Sequence, residues 1–384
     1  MIYQAAQELF SYSQTMRRDF HSHPELGFHE VRTANKIAGE LGSMGYKVKT
    51  GIAGTGIKAV LGRGEPVLLL RFDMDALPIQ EENKVAYRSH TAGVMHACGH
   101  DGHMAIGLTV AKILVKFQKG LKGTIVLMFQ PAEEGLGGCQ KMIAEGILKG
   151  PKPDAAFGMH IWNEKDVGWV GVTTGAEMAG ADIFTVKISG IGGHGALPQN
   201  TRDPVVCAAQ AIMGLQTIIS RNIGALESGV VSVTRIKAGE TFNVIPPQAE
   251  FAGTIRYFEP SIHETILRRL HELIQNTASS LGCKVVVEVQ ELTPALMNDA
   301  TQTEKVIKAI QTLPVQFHID RGFQTMGSED FAYVLKEIPG CFFFLGSANK
   351  KTGLSYGHHN PRFNFTEEVM TDAAAILTQT VLNY

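Results

Sequence analysis

The chain has 384 residues, more than one hydrophobic core usually organises, so two domains or one large domain with an insertion are expected. Hydrophobic residues at 44% and charged residues at 19% exclude a disordered chain. A formal net charge of −2 with no run of Lys and Arg excludes a field that recruits nucleic acid or an anionic membrane, so the expected partner is a small molecule.

The opening residues, MIYQAAQELFSYSQTMRRDF, lack the basic-then-apolar order of a signal peptide. No apolar run approaches the roughly 20 residues that span a bilayer, and a cytoplasmic location is expected. Five cysteines, Cys98, Cys139, Cys207, Cys283 and Cys341, are odd in number and widely spaced, so reduced thiols are expected. The first half alternates short apolar runs with helix-like segments, the pattern of an α/β protein with a largely parallel sheet. The runs are Pro66 to Phe72, Thr124 to Phe129 and Asp154 to Met159. Between the first two, Ile106, Val110, Ile113, Leu114 and Phe117 recur at helical spacing; Asp101 is positioned to cap this helix and Gly120 to stop it.

From Asp182 the order changes to strand, helix (opened by Asp203 and Pro204), strand, strand, helix (Pro260 to Leu281) and strand, a ferredoxin-like βαββαβ unit. The reading is therefore one domain of residues 1–179 and 293–384, interrupted by an inserted domain of residues 180–292. Phe342 to Leu345 resumes the buried first sheet, and a final helix from Glu367 to about Leu382 takes Thr366 as its cap.

Ligands of open α/β sheets bind beyond the carboxyl ends of the strands. The first run is followed by Asp73 and Asp75, the second by Gln130, Glu133 and Glu134, the third by His160, and the Phe342 run leads to His358 and His359. Ahead of the first long helix stands HACGHDGH, with His96, Cys98, His100, Asp101 and His103. A lone His or Cys is more often structural. Their joint occurrence along one sheet edge supplies ligands for Zn²⁺ or a similar ion. The mixture of thiol, imidazole and carboxylate leaves positions open for water and substrate, unlike a closed structural site. Adjacent Glu133 and Glu134 can divide their work, one binding metal and the other taking a proton from water.

These residues sit in motifs spread along the chain: RRDFHSHPELGFHE at Arg17 to Glu30, DMDALP at Asp73 to Pro78, MHACGHDGHM at Met95 to Met104, QPAEEGLGG at Gln130 to Gly138, GGHGALP at Gly192 to Pro198, FNVIPP at Phe242 to Pro247, GSEDFA at Gly327 to Ala332, and HHNPRF at His358 to Phe363. In them the whole chain resembles the aminoacylase and carboxypeptidase clan of dinuclear metallopeptidases, in particular its branch of hippurate hydrolases, N-acetyl-diaminopimelate deacetylases and plant indole-acetyl-amino-acid hydrolases. The resemblance implies hydrolysis of N-acyl-L-amino acids or small peptides by a homodimer with two divalent metal ions per subunit, Zn, Mn, Co or Ni, the first domain being catalytic and the inserted one serving as lid and dimerisation surface. Cys98, His100, Glu134, His160 and His359 would bind the metals, with Glu133 as general base. The choice of His359 over His358 rests on its place two residues before Pro361. Asp73, Asp75, Asp101 and His103 would stand behind the ligands and orient them. His194 and Asn243 match positions that contact the scissile carbonyl, and Arg256 a clamp for the substrate carboxylate. Gln199 departs from the His that many relatives carry there, and Glu329 matches a position near the site without an assigned role. The Arg17 to Glu30 segment is read as structural and far from the strand ends.

Two rival readings exist. Gly190, Gly192 and Gly195 fit G-x-G-x-x-G after a strand, as in dinucleotide-dependent dehydrogenases, but Pro198 and the cap at Asp203 put the next helix too late. A binding protein without catalysis would have no use for Glu133.

Overall fold

In the computed structural model, which describes residues 1–384, the apolar runs form the centre of an eight-stranded sheet. Its order is Lys47–Ile52, Gly56–Gly62, Thr124–Gln130, Val67–Asp73, Ala155–Asp166, Gly340–Ala348, Trp169–Gly171 and His318–Asp320. The four central strands are mutually parallel, and antiparallel pairs flank them. Every residue of Val67–Asp73, Thr124–Gln130 and Gly340–Ala348 is buried, which is why these strands read as unbroken apolar runs: helices cover both faces of a parallel sheet. From Val67–Asp73 the chain crosses to Thr124–Gln130 on one side and then to Ala155–Asp166 on the other. This reversal opens a crevice at the carboxyl end of Val67–Asp73, where Asp73 and Asp75 stand.

Two expected helix caps are not made. The helix after HACG begins at His100, ahead of the expected cap Asp101, with Gly99 in the left-handed region at φ 92° as its N-cap. Asp101, already inside the first turn, turns its carboxylate to Arg17 and His21 instead. The last helix is Val369–Leu382; Glu368 precedes it, and the hydroxyl of Thr366 has no hydrogen-bond partner because Thr366 lies too far ahead of the first turn. No helix is long and apolar enough to cross a membrane.

The chain divides into two compact units, one of Met1–Glu177, Met297–Gln324 and Glu329–Tyr384, the other of Met178–Leu296 and Thr325–Ser328. The second unit carries a four-stranded antiparallel sheet in the order Gly229–Ala238, Gln248–Tyr257, Gly180–Ser189, Lys284–Thr293. With helices Pro204–Asn222 and Pro260–Ser280 this is the ferredoxin-like arrangement. The helices cover one face, where Phe184, Val186 and Ile188 meet Leu215, Ile266 and Leu270, and the alternate residues Ile183 and Lys187 are exposed. Asp203 caps Pro204–Asn222 as expected, accepting hydrogen bonds from Val205 N and Val206 N. Gly190 and Gly192 are explained by close backbone packing, since a side chain would strike Arg202 O at the first and Ile245 O at the second. Neither opens a helix.

Candidate metal centre

At the crevice of the first unit, ligand atoms of Cys98, His100 and Glu134 lie within 4.8 Å of one another. Cys98 Sγ is 3.5 Å from His160 Nε2, and His359 Nε2 is 3.2 Å from Glu134 Oε1. Five residues expected to bind metal therefore meet, although they come from a turn, a helix start, a post-strand loop, a strand and a C-terminal loop. His160 lies within Ala155–Asp166 rather than after a strand end, because that strand runs on past Met159.

The local hydrogen bonds leave the facing atoms free. His100 Nδ1 is occupied by Asp75 O at 2.9 Å, so Nε2 remains, buried and without a hydrogen bond, 3.6 Å from Asp73 Oδ2. His160 Nδ1 is 2.6 Å from Ile161 O, which turns Nε2 toward Cys98. Glu134 Oε1 is buried without a hydrogen bond, the nearby His359 lying outside hydrogen-bond geometry. Orphaned buried polar atoms cost roughly 1–3 kcal/mol each, and a cation would satisfy all of these together. The donor set of thiol, imidazole and carboxylate fits such an ion.

Electrostatics point the same way. Burial and the Glu134, Glu133 and Asp73 carboxylates hold the Cys98 thiol well above its usual range. Burial opposes protonation of His100, yet Asp73, Asp75 and Glu134 raise it to about 10. Burial, Glu329 and Glu134 push the Glu133 carboxyl well up. Negative charge crowds the crevice, as a divalent cation requires.

His358 and His359 both stand at the centre, His358 Nδ1 3.8 Å from Cys98 Sγ and His359 beside Glu134, but their surroundings differ. His358 Nε2 accepts Asn163 N at 3.1 Å and its ring stacks on Trp162, while burial and the neighbouring His359 pull it down to about 3. His359 adopts φ 63°, uncommon for a residue with a side chain, and its ring reaches Glu134.

Behind this centre, Asp75 also accepts Glu134 N at 3.0 Å, and Asp73 is 2.6 Å from His103 Nδ1. Asp101 does not join them. Its bonds go to Arg17 Nε and His21 Nδ1, each 2.8 Å away. Arg17 to Glu30 is thus not remote, contrary to expectation: it braces the first turn of the His100 helix, and Glu30 accepts Ala132 N at 3.0 Å just before Glu133. Periodicity could not reveal this, because the contacts join residues about 80 positions apart. Arg71 escaped sequence reading altogether, although a charge inside PVLLLRF signals a buried partner. A purely acidic group, Glu133, Glu329 and Asp330, also has ligand atoms within 4.8 Å of one another. Arg71 holds both Glu329 oxygens and reaches Asp330 Oδ1, and Gln130 and Cys139 N hold the Asp330 oxygens, so two of the three carboxylates already have partners and Glu133 does not.

In the second unit His194 pairs with Val244 in a two-residue ladder. Its Nδ1 accepts Ala196 N at 3.0 Å, leaving Nε2 to carry the proton. Asn243 accepts Gly195 N at 2.8 Å through its backbone oxygen. Arg256, half-buried, donates to Thr254 Oγ1 and Ile255 O and has no carboxylate partner.

The description "Peptidase family M20/M25/M40" matches residues 69–383. The chain belongs to this family. It is 39% identical over 382 residues to IAA-amino acid hydrolase ILR1-like 2 of Arabidopsis thaliana, covering 98% of this chain and 86% of that one. Identity is also 39%, over 367 residues, to the N-acetylcysteine deacetylase of Bacillus subtilis, covering 94% and 93% of the two chains. The Bacillus subtilis YXEP protein, described as a dinuclear metal binding peptidase from the M20 family, superposes with a TM-score of 0.86 at 34% identity and 98% coverage of both chains.

Proposed function

We propose that this M20-family hydrolase cleaves the amide bond of N-acyl-L-amino acids, hippurate-like or acetylated, or of small peptides, with two divalent ions held by Cys98, His100, Glu134, His160 and His359. The observation that carries the reading is the convergence of Cys98 Sγ with the unpartnered His100 Nε2 and Glu134 Oε1, one residue from Glu133. The relatives named for deacetylation of N-acetylcysteine and for hydrolysis of an IAA-amino acid support amide cleavage. When bound, such ions polarise a carbonyl and acidify water. Glu133 takes the proton of the attacking water and delivers it to the leaving amine. His194, protonated at Nε2, donates to the carbonyl oxygen beside Asn243, and Arg256 pairs with the substrate α-carboxylate. The protein works in the cytoplasm as a homodimer in which His194 serves the partner's site.

The test is a panel of N-acyl-amino acids, hippurate and acetylated amino acids among them, on protein reconstituted separately with Zn²⁺, Mn²⁺, Co²⁺ and Ni²⁺. Metal-dependent release of the amino acid is expected. Absence of hydrolysis across the whole panel rejects the reading.

A further inference from the structure

Arg71 is fully buried in a strand whose neighbours Leu68, Leu69, Leu70 and Phe72 are apolar. Its guanidinium is fully engaged. Nε donates to Gln130 Oε1 at 2.9 Å, Nη1 to Asp73 Oδ2 at 2.7 Å and Glu329 Oε2 at 3.1 Å, and Nη2 to Glu329 Oε1 at 2.6 Å and Asp330 Oδ1 at 3.3 Å. The path continues beyond Asp73. Asp73 Oδ1 is 2.6 Å from His103 Nδ1, and His103 Nε2 accepts Ile161 N at 3.1 Å. With both nitrogens engaged, His103 is a bridge and has no atom left for a metal. Ile161 in turn offers its carbonyl to His160 Nδ1 at 2.6 Å, the bond that points His160 Nε2 at Cys98.

We propose that Glu329 is a positioning residue, acting through Arg71, Asp73 and His103 on the Ile161 backbone to set the orientation of His160. The inference rests on the metal-site reading above. Its physical ground is that a buried ion pair is weak evidence for stability, since an apolar side chain at position 71 would pack on this sheet without a desolvation penalty. What an apolar residue could not supply is direction. The two-point fork between Arg71 and Glu329 fixes the guanidinium plane, which leaves Asp73 one orientation and so fixes the His103 ring. Asp330, which Arg71 Nη2 also reaches at 3.3 Å, is held in turn by Gln130 and Cys139 N, a branch that leads away from His160.

The experiment compares wild type with Glu329→Gln, His103→Gln and the double variant, each loaded with Co²⁺. Three quantities are read: the visible absorption of bound cobalt, the metal dissociation constant by chelator competition, and kcat and KM. Glu329→Gln should weaken metal binding roughly 10- to 100-fold and shift the cobalt bands, with kcat falling and KM nearly unchanged. Because the residues act in series, the double variant should bind metal about as weakly as His103→Gln alone. Should Glu329→Gln not fold, Glu329→Asp carries the same test, since it keeps the charge opposite Arg71 but is one methylene shorter and draws its carboxylate back from the guanidinium. A lowered Tm with wild-type cobalt bands and affinity overturns the proposal, as does full additivity in the cycle. Wild-type protein that takes up no cobalt overturns the metal-site reading and this proposal with it.

Discussion

The two units place their candidate functional groups in opposite physical settings. In the first, Arg17, Arg71, Asp73, Asp101 and His100 are buried along a parallel sheet edge and its neighbouring helices, and each is tied to named partners over distances of 2.6 to 3.2 Å. In the second, His194 is exposed and Arg256 is half-buried, and neither has a charged hydrogen-bond partner. A charge inside a low-dielectric interior must be paired, so burial converts chemistry into geometry that can be read directly. An exposed charge on an antiparallel sheet carries no such obligation. The first setting argues for function by itself, and the second acquires an argument only when a substrate or a second subunit is considered.

The contrast is sharpest at Glu133, the one carboxylate of its acidic group that Arg71 does not hold. Glu133→Gln keeps the size of the side chain but removes its proton acceptor. Turnover should fall by about 10² to 10⁴, the contribution of a positioned general base, while both metals stay bound. Metal analysis with steady-state kinetics checks it; near-normal turnover removes Glu133 from the mechanism.

Next in size is the brace behind the site. Asp101→Asn leaves the buried Arg17 and His21 short of a counter-charge and should cost about 3–5 kcal/mol at neutral pH. Burial works against the Asp101 carboxylate, but Arg17 and His21 hold its pKa well below the ordinary range. A carboxyl depressed on folding stabilises at pH above its unfolded value, about 4, and loses that contribution as pH falls. The difference between variant and wild type in urea unfolding should therefore be full at pH 7 and shrink below about pH 4. A difference that grows on acidification contradicts the pairing.

These two regions also explain what was legible in the sequence. Unbroken apolar runs gave the parallel strands, the order of strands and helices gave the ferredoxin-like unit, and strand-end position gave Asp73, Asp75, Glu133 and Glu134. The failures share a cause. Asp101 looked like a cap and Arg17 like a structural residue far from the strand ends because their partner is each other, across helices that no local pattern connects. Arg71 and Glu329, 258 positions apart, meet for the same reason. Likewise, composition could suggest ligands but could not say that His358 spends Nε2 on Asn163 N.

A smaller effect tests the open half of the comparison. Arg256→Ala should reduce kcat/KM for acyl-amino acids at least about tenfold more than for the corresponding amides, since only the former bring a carboxylate for the guanidinium to pair. Equal losses on both would return Arg256 to an ordinary strand residue.

The last test asks whether His194 completes its own site or that of a second subunit. Take one parent with Glu133→Ala and another with His194→Ala, each inactive on its own. If His194 serves the partner, a mixed dimer has one site built from both wild-type residues and one built from neither. Random mixing makes about half the dimers mixed, and each regains one of its two sites under closed two-fold symmetry, so activity should return to about a quarter of wild type. If His194 acts within its own chain, every site in the mixed dimer lacks one residue and nothing returns. Coexpression of differently tagged variants, with the mixed species isolated and its composition confirmed by mass spectrometry, separates the cases. Recovery would mean that the exposure of His194 belongs to the isolated chain and ends on assembly, which would bring the second unit under the same rule that governs the first: a functional group is held where it is buried. A confirmed mixed dimer without activity would instead leave His194 an exposed side chain on its own subunit, and the contrast between the units would stand.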